Sequence, residues 1–301
     1  MLRSFAEVLD EAKQNGQRTI SVAAAQDKEV LLAVKAARDA GLAQVILVGD
    51  AGLIQPLLEE VGLPADTPVV HEPDAGKAAL TAVSLVRTGQ AQIFMKGLVN
   101  SSDFLKAVVN KEWGLRTGHL LSHLSAYEVP GGEKLIYLTD SGMNVAPSRE
   151  EKQGILDNAI QAVRALGVER PKVAVLAASE IVNPRIPATT DAQALAVMNR
   201  QGQFFPAIVE GPVAMDVALN PEHARHKGIT SEVAGDVDIF MIPSLEAGNI
   251  LSKALIHYAG FKNAGVIIGA THPVVMVSRA DSIEAKLYSI ALACLLAGVR
   301  Q

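Results

Sequence analysis

A chain of 301 residues with 27 lysines and arginines against 32 aspartates and glutamates, net charge -5, lacks the basic excess of a nucleic-acid surface, and no Lys/Arg run is interleaved with aromatics. Hydrophobic residues make up 49% and aromatics 4%, the balance of helices laid on a sheet buried on both faces, and the length suits two α/β lobes. The longest apolar runs are strand-length and broken by Gly, Pro or charge, so no membrane span is expected, and the single cysteine, Cys294, excludes an internal disulfide and a thiolate metal cage.

Residues 1–10 read as a helix without the hydrophobic core of a signal peptide, so the expected location is cytoplasmic. From residue 19 strand and helix patterns alternate: strands at 19–25, 44–49, 69–71 and 92–97, helices at 28–41, 53–62 and 75–89. Such alternation predicts a parallel sheet with right-handed crossovers. An extended apolar stretch at 119–129 lies between Trp113-Gly114 and Pro130-Gly131-Gly132, and a lobe boundary is placed near 130–134. The second series predicts strands at 135–139, 172–177, 207–209, 238–243 and 266–268, with helices at 149–166, 190–200, 213–227 and 246–259. A last helix keeps Ile283, Leu287, Ile290, Ala291, Cys294 and Leu295 on one face, with Asp281 and Glu284 marking its start. As a separate element it can return to the first lobe. The expected division is 1–133 with 280–301 as one lobe and 134–279 as the other, with the active site in the cleft between them.

In a parallel sheet the loops at the carboxyl ends of the strands hold the functional groups. Those loops contain Met95-Lys96-Gly97 followed by Ser101 and Lys106, Thr139-Asp140-Ser141-Gly142-Met143-Asn144, Glu210-Gly211-Pro212 with Asp216, and Thr271-His272-Pro273 leading to Ser278-Arg279. With Arg116, the cations Lys96, Lys106 and Arg279 suit a ligand bearing several phosphates. Arg279 beside a helix start reads as an anion grip with Ser278 as a neutral donor; equally, Arg279 can pair with a neighbouring carboxylate while Ser278 caps. The pairs His119/His123 and His223/His226 have spacings a metal could use if a third ligand were close, and both also read as structural or solvated. No dinucleotide glycine fingerprint, phosphate loop or Gly-x-Ser-x-Gly elbow is present, and Cys294 reads as core, so hydride transfer, P-loop hydrolysis and acyl-enzyme chemistry lose their usual support.

These strings, with Pro243-Ser244-Leu245-Glu246-Ala247-Gly248-Asn249-Ile250 and Val277-Ser278-Arg279-Ala280-Asp281-Ser282, resemble the phosphate acetyl/butyryl transferases over most of the chain. The length and the Ser-Arg-Ala-Asp-Ser wording are closer to the butyryl-transferring members. The resemblance implies a two-lobed, three-layer αβα fold similar to isocitrate and isopropylmalate dehydrogenases. It implies reversible transfer of a short acyl group, butyryl first, between coenzyme A and inorganic phosphate, in a homodimer or higher homo-oligomer. No cofactor beyond the substrates, no metal, no nucleic acid and no membrane partner is implied.

By the same resemblance Arg279 grips phosphate and Ser278 hydrogen-bonds at the reacting acyl group. Lys96, Ser101, Lys106, Arg116, Asp140, Ser141, Asn144, Gly211, Asp216 and Asn249 are the expected substrate-binding residues. One position departs: acetyl-transferring relatives place a catalytic carboxylate seven residues after the serine, where this chain has Ala285. Asp281 and Glu284 become the candidate bases, although a one-residue step turns a helical side chain by about 100°. Lys106 likewise stands where those relatives use arginine, keeping charge and losing the bidentate fork. The rival expectations are acetyl preference within the same reaction, a metal-dependent dehydrogenase on the similar fold, and a non-catalytic coenzyme A binding protein.

Overall fold

The alternating pattern becomes regular structure nearly where the sequence places it. The first elements of the computed structural model are α1 (Phe5–Gln14), β1 (Arg18–Ala23), α2 (Lys28–Asp39), β2 (Ala43–Gly49), α3 (Ala51–Val61), β3 (Val69–His71), α4 (Ala75–Arg87), β4 (Ile93–Lys96) and α5 (Ser101–Val108). Next come β5 (Ser122–Glu128), β6 (Leu135–Thr139), α6 (Arg149–Ala165), β7 (Lys172–Leu176), α7 (Pro187–Arg200), β8 (Ile208–Val213), α8 (Met215–Leu219) and α9 (Pro221–His226). The chain ends with β9 (Ile239–Met241), α10 (Leu245–His257), β10 (Lys262–Ile268), β11 (Val274–Val275) and α11 (Ile283–Ala297). Residues 1–278 and 280–298 are described.

Two compact units result. One joins Ser4–His119 to Asn263–Gln301, and the other joins Met1–Arg3 to Leu120–Lys262. In the first, the strands run in the order β3-β2-β1-β4-β11-β10. All pairs are parallel except β10 with β11, with Val22 opposite both Leu47 and Met95, and Val274 opposite Phe94. Every residue of β4 is buried. Because successive strand side chains point to opposite faces, that burial requires cover on both sides of the sheet. In the second unit the order is β5-β6-β9-β7-β8, parallel apart from the β5–β6 hairpin.

The division differs from the expected one. Pro130-Gly131-Gly132 is the turn of that hairpin, with Gly131 at φ 71° and Tyr127 opposite Ile136, so residues 120–133 belong with 134–262. Residues 263–278 go the other way, since β11 pairs with β4 and β10 with β11. The helix expected over 213–227 is two short ones. Asn220 is extended (φ -135°, ψ 114°) ahead of Pro221, whose ring disfavours a helical residue before it, and its side chain caps α9 at Glu222 N.

The last helix differs most in character. Its N-cap is Ser282, which accepts from Ala285 N at 3.1 Å, while Asp281 lies in the turn before it. It is also buried nearly all round, from Ala285 to Leu296 apart from half-buried Leu287, because both α1 and α2 lie against it. Tyr288 stacks on Phe5 of α1 with ring centroids 4.3 Å apart and planes 8° off parallel.

Candidate active site

The carboxyl ends of β1, β4 and β11 bring together the first group of expected residues. Lys96 closes β4 and is 8% exposed, with Nζ 3.5 Å from Gly97 O. A Cβ on Gly97 would lie 2.4 Å from Ala24 O and 2.6 Å from Ala23 O, so glycine is what lets β4 leave the sheet pressed against the end of β1. Ser278 follows β11 in an exposed turn. Its N–H donates to Asp281 Oδ2 at 2.8 Å, its carbonyl accepts from Asp281 N at 3.2 Å, and its Oγ accepts from Ala280 N at 3.3 Å. Ser278 and Lys96 line one cavity of about 70 Å³ with Asp27, Glu29 and Lys286.

Arg279 lies outside the described residues. Asp281 is taken up by the Ser278 turn, and Glu284 accepts from Tyr288 O–H. Ala285 faces inward and is 7% exposed. Ser101 is exposed at the first position of α5, whose cap is Asn100, accepting from Asp103 N at 2.8 Å. Lys106 is exposed and paired with Asp103 at 2.8 Å. That contact and Asn100 hold the Asp103 carboxyl below its usual range. Arg116 is exposed and bridges Ala270, flanked by Thr271 N donating to Leu115 O and by Thr117 Oγ1 donating to Gly269 O at 2.6 Å.

A second group gathers in the other unit. Asp140, 3% exposed, accepts at Oδ1 from Gly142 N and Met143 N, both at 2.9 Å, and at Oδ2 from Asn144 N at 3.2 Å and Asn144 Nδ2 at 2.6 Å. That makes the carboxylate a knot for its own turn. Asn144 Nδ2 also donates to Leu121 O. Buried Ser141 sits 3.0 Å from Ser125 Oγ and 3.4 Å from His123 Nδ1, a Ser-Ser-His cluster that spacing alone does not reveal. Helix α10 comes down on this turn: a Cβ on Gly248 would meet Ser141 Cα at 2.8 Å, and Leu245 N donates to Val145 O. Asn249, next along α10, is exposed.

Gly211 stands apart in β8, where a Cβ would meet Val175 Cβ at 2.9 Å. Asp216 is exposed and pairs with Lys227 at 3.3 Å, which also reaches Glu180 at 3.1 Å. Burial acts to raise the Asp216 carboxyl, but the Lys227 contact outweighs it and holds it below its usual range. His119 is exposed, and the other pair, His223 and His226, lies on α9, with His223 Nδ1 3.8 Å from Asp216. Among the described residues no three His, Cys, Asp or Glu side chains gather as a metal site, and no helix is long and apolar enough to cross a membrane. Cys294 is buried, and burial pushes its thiol up to about 12.

Lys286 is the residue that motif reading passes over. It is 2% exposed and donates from Nζ to Asp281 O at 2.8 Å. Its signal is a lone charge in the enclosed apolar run of α11.

The family described as phosphate acetyl/butaryl transferase matches residues 65–294. Over 99% of both chains this protein is 46% identical to a phosphate butyryltransferase of Clostridium acetobutylicum. It is 38% identical to a phosphate acetyltransferase of Thermotoga maritima, over 97% of this chain and 100% of that one. A branched-chain phosphotransacylase from Enterococcus faecalis V583 superimposes with a TM-score of 0.83 at 33% identity, covering 94% of this chain and 100% of that one. The chain therefore belongs to the phosphate acetyl/butyryl transferase family.

Proposed function

We propose that this protein is a phosphate butyryltransferase, moving a short-chain acyl group reversibly between coenzyme A and inorganic phosphate. The observation that carries this reading is the end-to-end likeness to the Clostridium acetobutylicum enzyme, 46% over 99% of both chains. The site chemistry is in keeping with it. Ser278 and the buried Lys96 open on one small cavity, a neutral donor and a cation where a phosphate oxygen must approach a thioester carbonyl.

In this scheme a phosphate oxygen attacks the thioester carbon, and the carbonyl oxygen gains the negative charge that Ser278 stabilises. Collapse breaks the C–S bond and releases acyl phosphate. The proton of the attacking hydrogen phosphate ends on the departing sulfur, so the step balances without a net base. A relay for that proton is assigned to Asp281, which is hydrogen-bonded to Ser278 N, ahead of Glu284, whose carboxylate is engaged by Tyr288. Arg279 supplies the bidentate grip on phosphate. Positioning and electrostatics do most of the work.

Lys96, Ser101, Lys106 and Arg116 are assigned to substrate binding in this reading, as are Asp140, Ser141, Asn144, Gly211, Asp216 and Asn249. Asp140 acts indirectly, by holding the turn that presents Ser141 and Asn144. The finer fold assignment, similar to isocitrate and isopropylmalate dehydrogenases, and a cytoplasmic homo-oligomer belong to the same proposal. The 38% identity to a phosphate acetyltransferase favours one second reading, acetyl preference within the same reaction.

The test is thiol release from butyryl-CoA and acetyl-CoA, with and without inorganic phosphate. Phosphate-dependent release that is faster with butyryl-CoA is expected; faster release from acetyl-CoA selects the second reading, and no phosphate-dependent release from either rejects both. A thiol reagent is suitable because buried Cys294, with its thiol pushed up to about 12, adds no background in the folded enzyme.

A further inference from the structure

We propose that the buried ammonium of Lys286 is a binding group for the phosphate substrate, an internal cation whose counter-charge is the phosphate itself. The proposal rests on the acyltransferase reading above and adds to it a residue that no motif assigns.

Lys286 sits in the first turns of α11 and is 2% exposed. A lysine ammonium has three donors, and among the described residues its one hydrogen-bond partner is Asp281 O, at 2.8 Å. Among the described residues no carboxylate lies within ion-pair reach of it. That is a costly arrangement, since a desolvated charge without a counter-charge is strongly disfavoured. It also stands near the positive end of the α11 dipole, which disfavours a second positive charge. Both penalties vanish when an anion binds beside it.

The cavity that Lys286 lines supplies the place. It holds about 70 Å³, far below the few hundred Å³ of a site for a large organic ligand, so it suits a small anion. Lys96, 8% exposed, and Ser278 share the lining. Asp27 and Glu29 line it too, but Asp27 caps α2 through Val30 N at 3.0 Å and Glu29 is exposed. A phosphate held by Lys286 and Lys96 thus lies against Ser278, whose turn Lys286 also ties down through Asp281 O.

The competing role is that tie alone. Lys286→Gln separates the two, because it keeps a donor for Asp281 O and removes the charge. The experiment measures steady-state kinetics of Lys286→Gln and the wild type with phosphate and butyryl-CoA varied in turn, and with inorganic phosphate alone as a thermal-shift probe. The KM for phosphate should rise at least about tenfold, as for loss of a charge-assisted contact, with the KM for butyryl-CoA within about threefold. The phosphate-dependent rise in Tm seen with the wild type should disappear.

An unchanged phosphate KM, or an equal change in both KM values, overturns the proposal. If Lys286→Gln does not fold, Lys286→Arg decides: the displaced charge should shift the phosphate KM selectively, and an unselective change or none overturns it. A wild type without phosphate-dependent thiol release refutes the acyltransferase reading instead, so the two failures are distinct.

Discussion

A methyl group placed on Gly97 meets the backbone carbonyls of Ala24 and Ala23, at the end of β1, at 2.4 and 2.6 Å, far inside van der Waals contact and with no flexible side chain to give way. Gly97→Ala must therefore push β4 off β1 and carry Lys96 with it. A stability loss of about 3 kcal/mol is expected, at the upper end of single substitutions, with a fall in kcat/KM of more than about tenfold. Denaturant melts and kinetics check this; wild-type values in both would mean that Gly97 does not set the position of Lys96. His272 carries a pH prediction. Burial, aided by Arg87, holds its imidazole below the usual range, while Thr271 Oγ1 lies 3.0 Å from Nδ1. The unfolded chain then binds the proton more readily, so this stabilising contribution is intact above the unfolded pKa of about 6.5 and falls away as pH drops toward the depressed folded value. The wild-type Tm should fall further than that of His272→Gln between about pH 7.5 and 5.5. Equal falls would show that His272 does not contribute. Lys96, Gly97 and Ser278 are legible in the sequence because they sit in a recognisable string. Lys286 is not, because its meaning depends on which neighbours share its cavity.

Helix α11 shows what periodicity reads and what it misses. An apolar face was legible, but not that α1 and α2 cover the rest, because a sequence shows only one element's own pattern. The start was legible to within a residue: Asp281 and Glu284 suggest a capping box, whereas Ser282 caps and Asp281 binds Ser278 N. The break at Asn220 is written in the sequence as Asn-Pro, but the helix expected over 213–227 runs across it, and the structure has two short helices there. The cap leads to a prediction. Ser282→Ala removes the acceptor for Ala285 N and should cost about 1 kcal/mol. Because the turn from Ser278 to Asp281 ends at this cap, kcat should fall alongside the Tm. A drop in Tm with unchanged kinetics would separate the cap from the role proposed for the Ser278 turn.

At the scale of the molecule, the sequence showed two α/β series but not how the chain divides between them, because strand partners are long-range. Residues 263–278 follow the second series in the chain yet supply β10 and β11, and β11 pairs with β4. One unit is therefore discontinuous and the other nearly continuous, and they should differ in their ability to fold alone. The fragment 4–119 lacks α11 and would leave bare the faces of α1 and α2 that cover it, together with the edge of β4 that β11 occupies. It should be unfolded or aggregated by circular dichroism and gel filtration. Joining 4–119 to 263–301 by a short Gly/Ser linker should restore a cooperative melt. The fragment 120–262, which retains β5 to β9 with α6 to α10 and the Lys134 ion pairs to Asp236 and Asp238, should give one without any addition. Cooperative folding of 4–119 alone would show that the returning segment is dispensable. The turn at Ser278, proposed above as part of the site, would then be carried by an appendage instead of by an integral part of the unit.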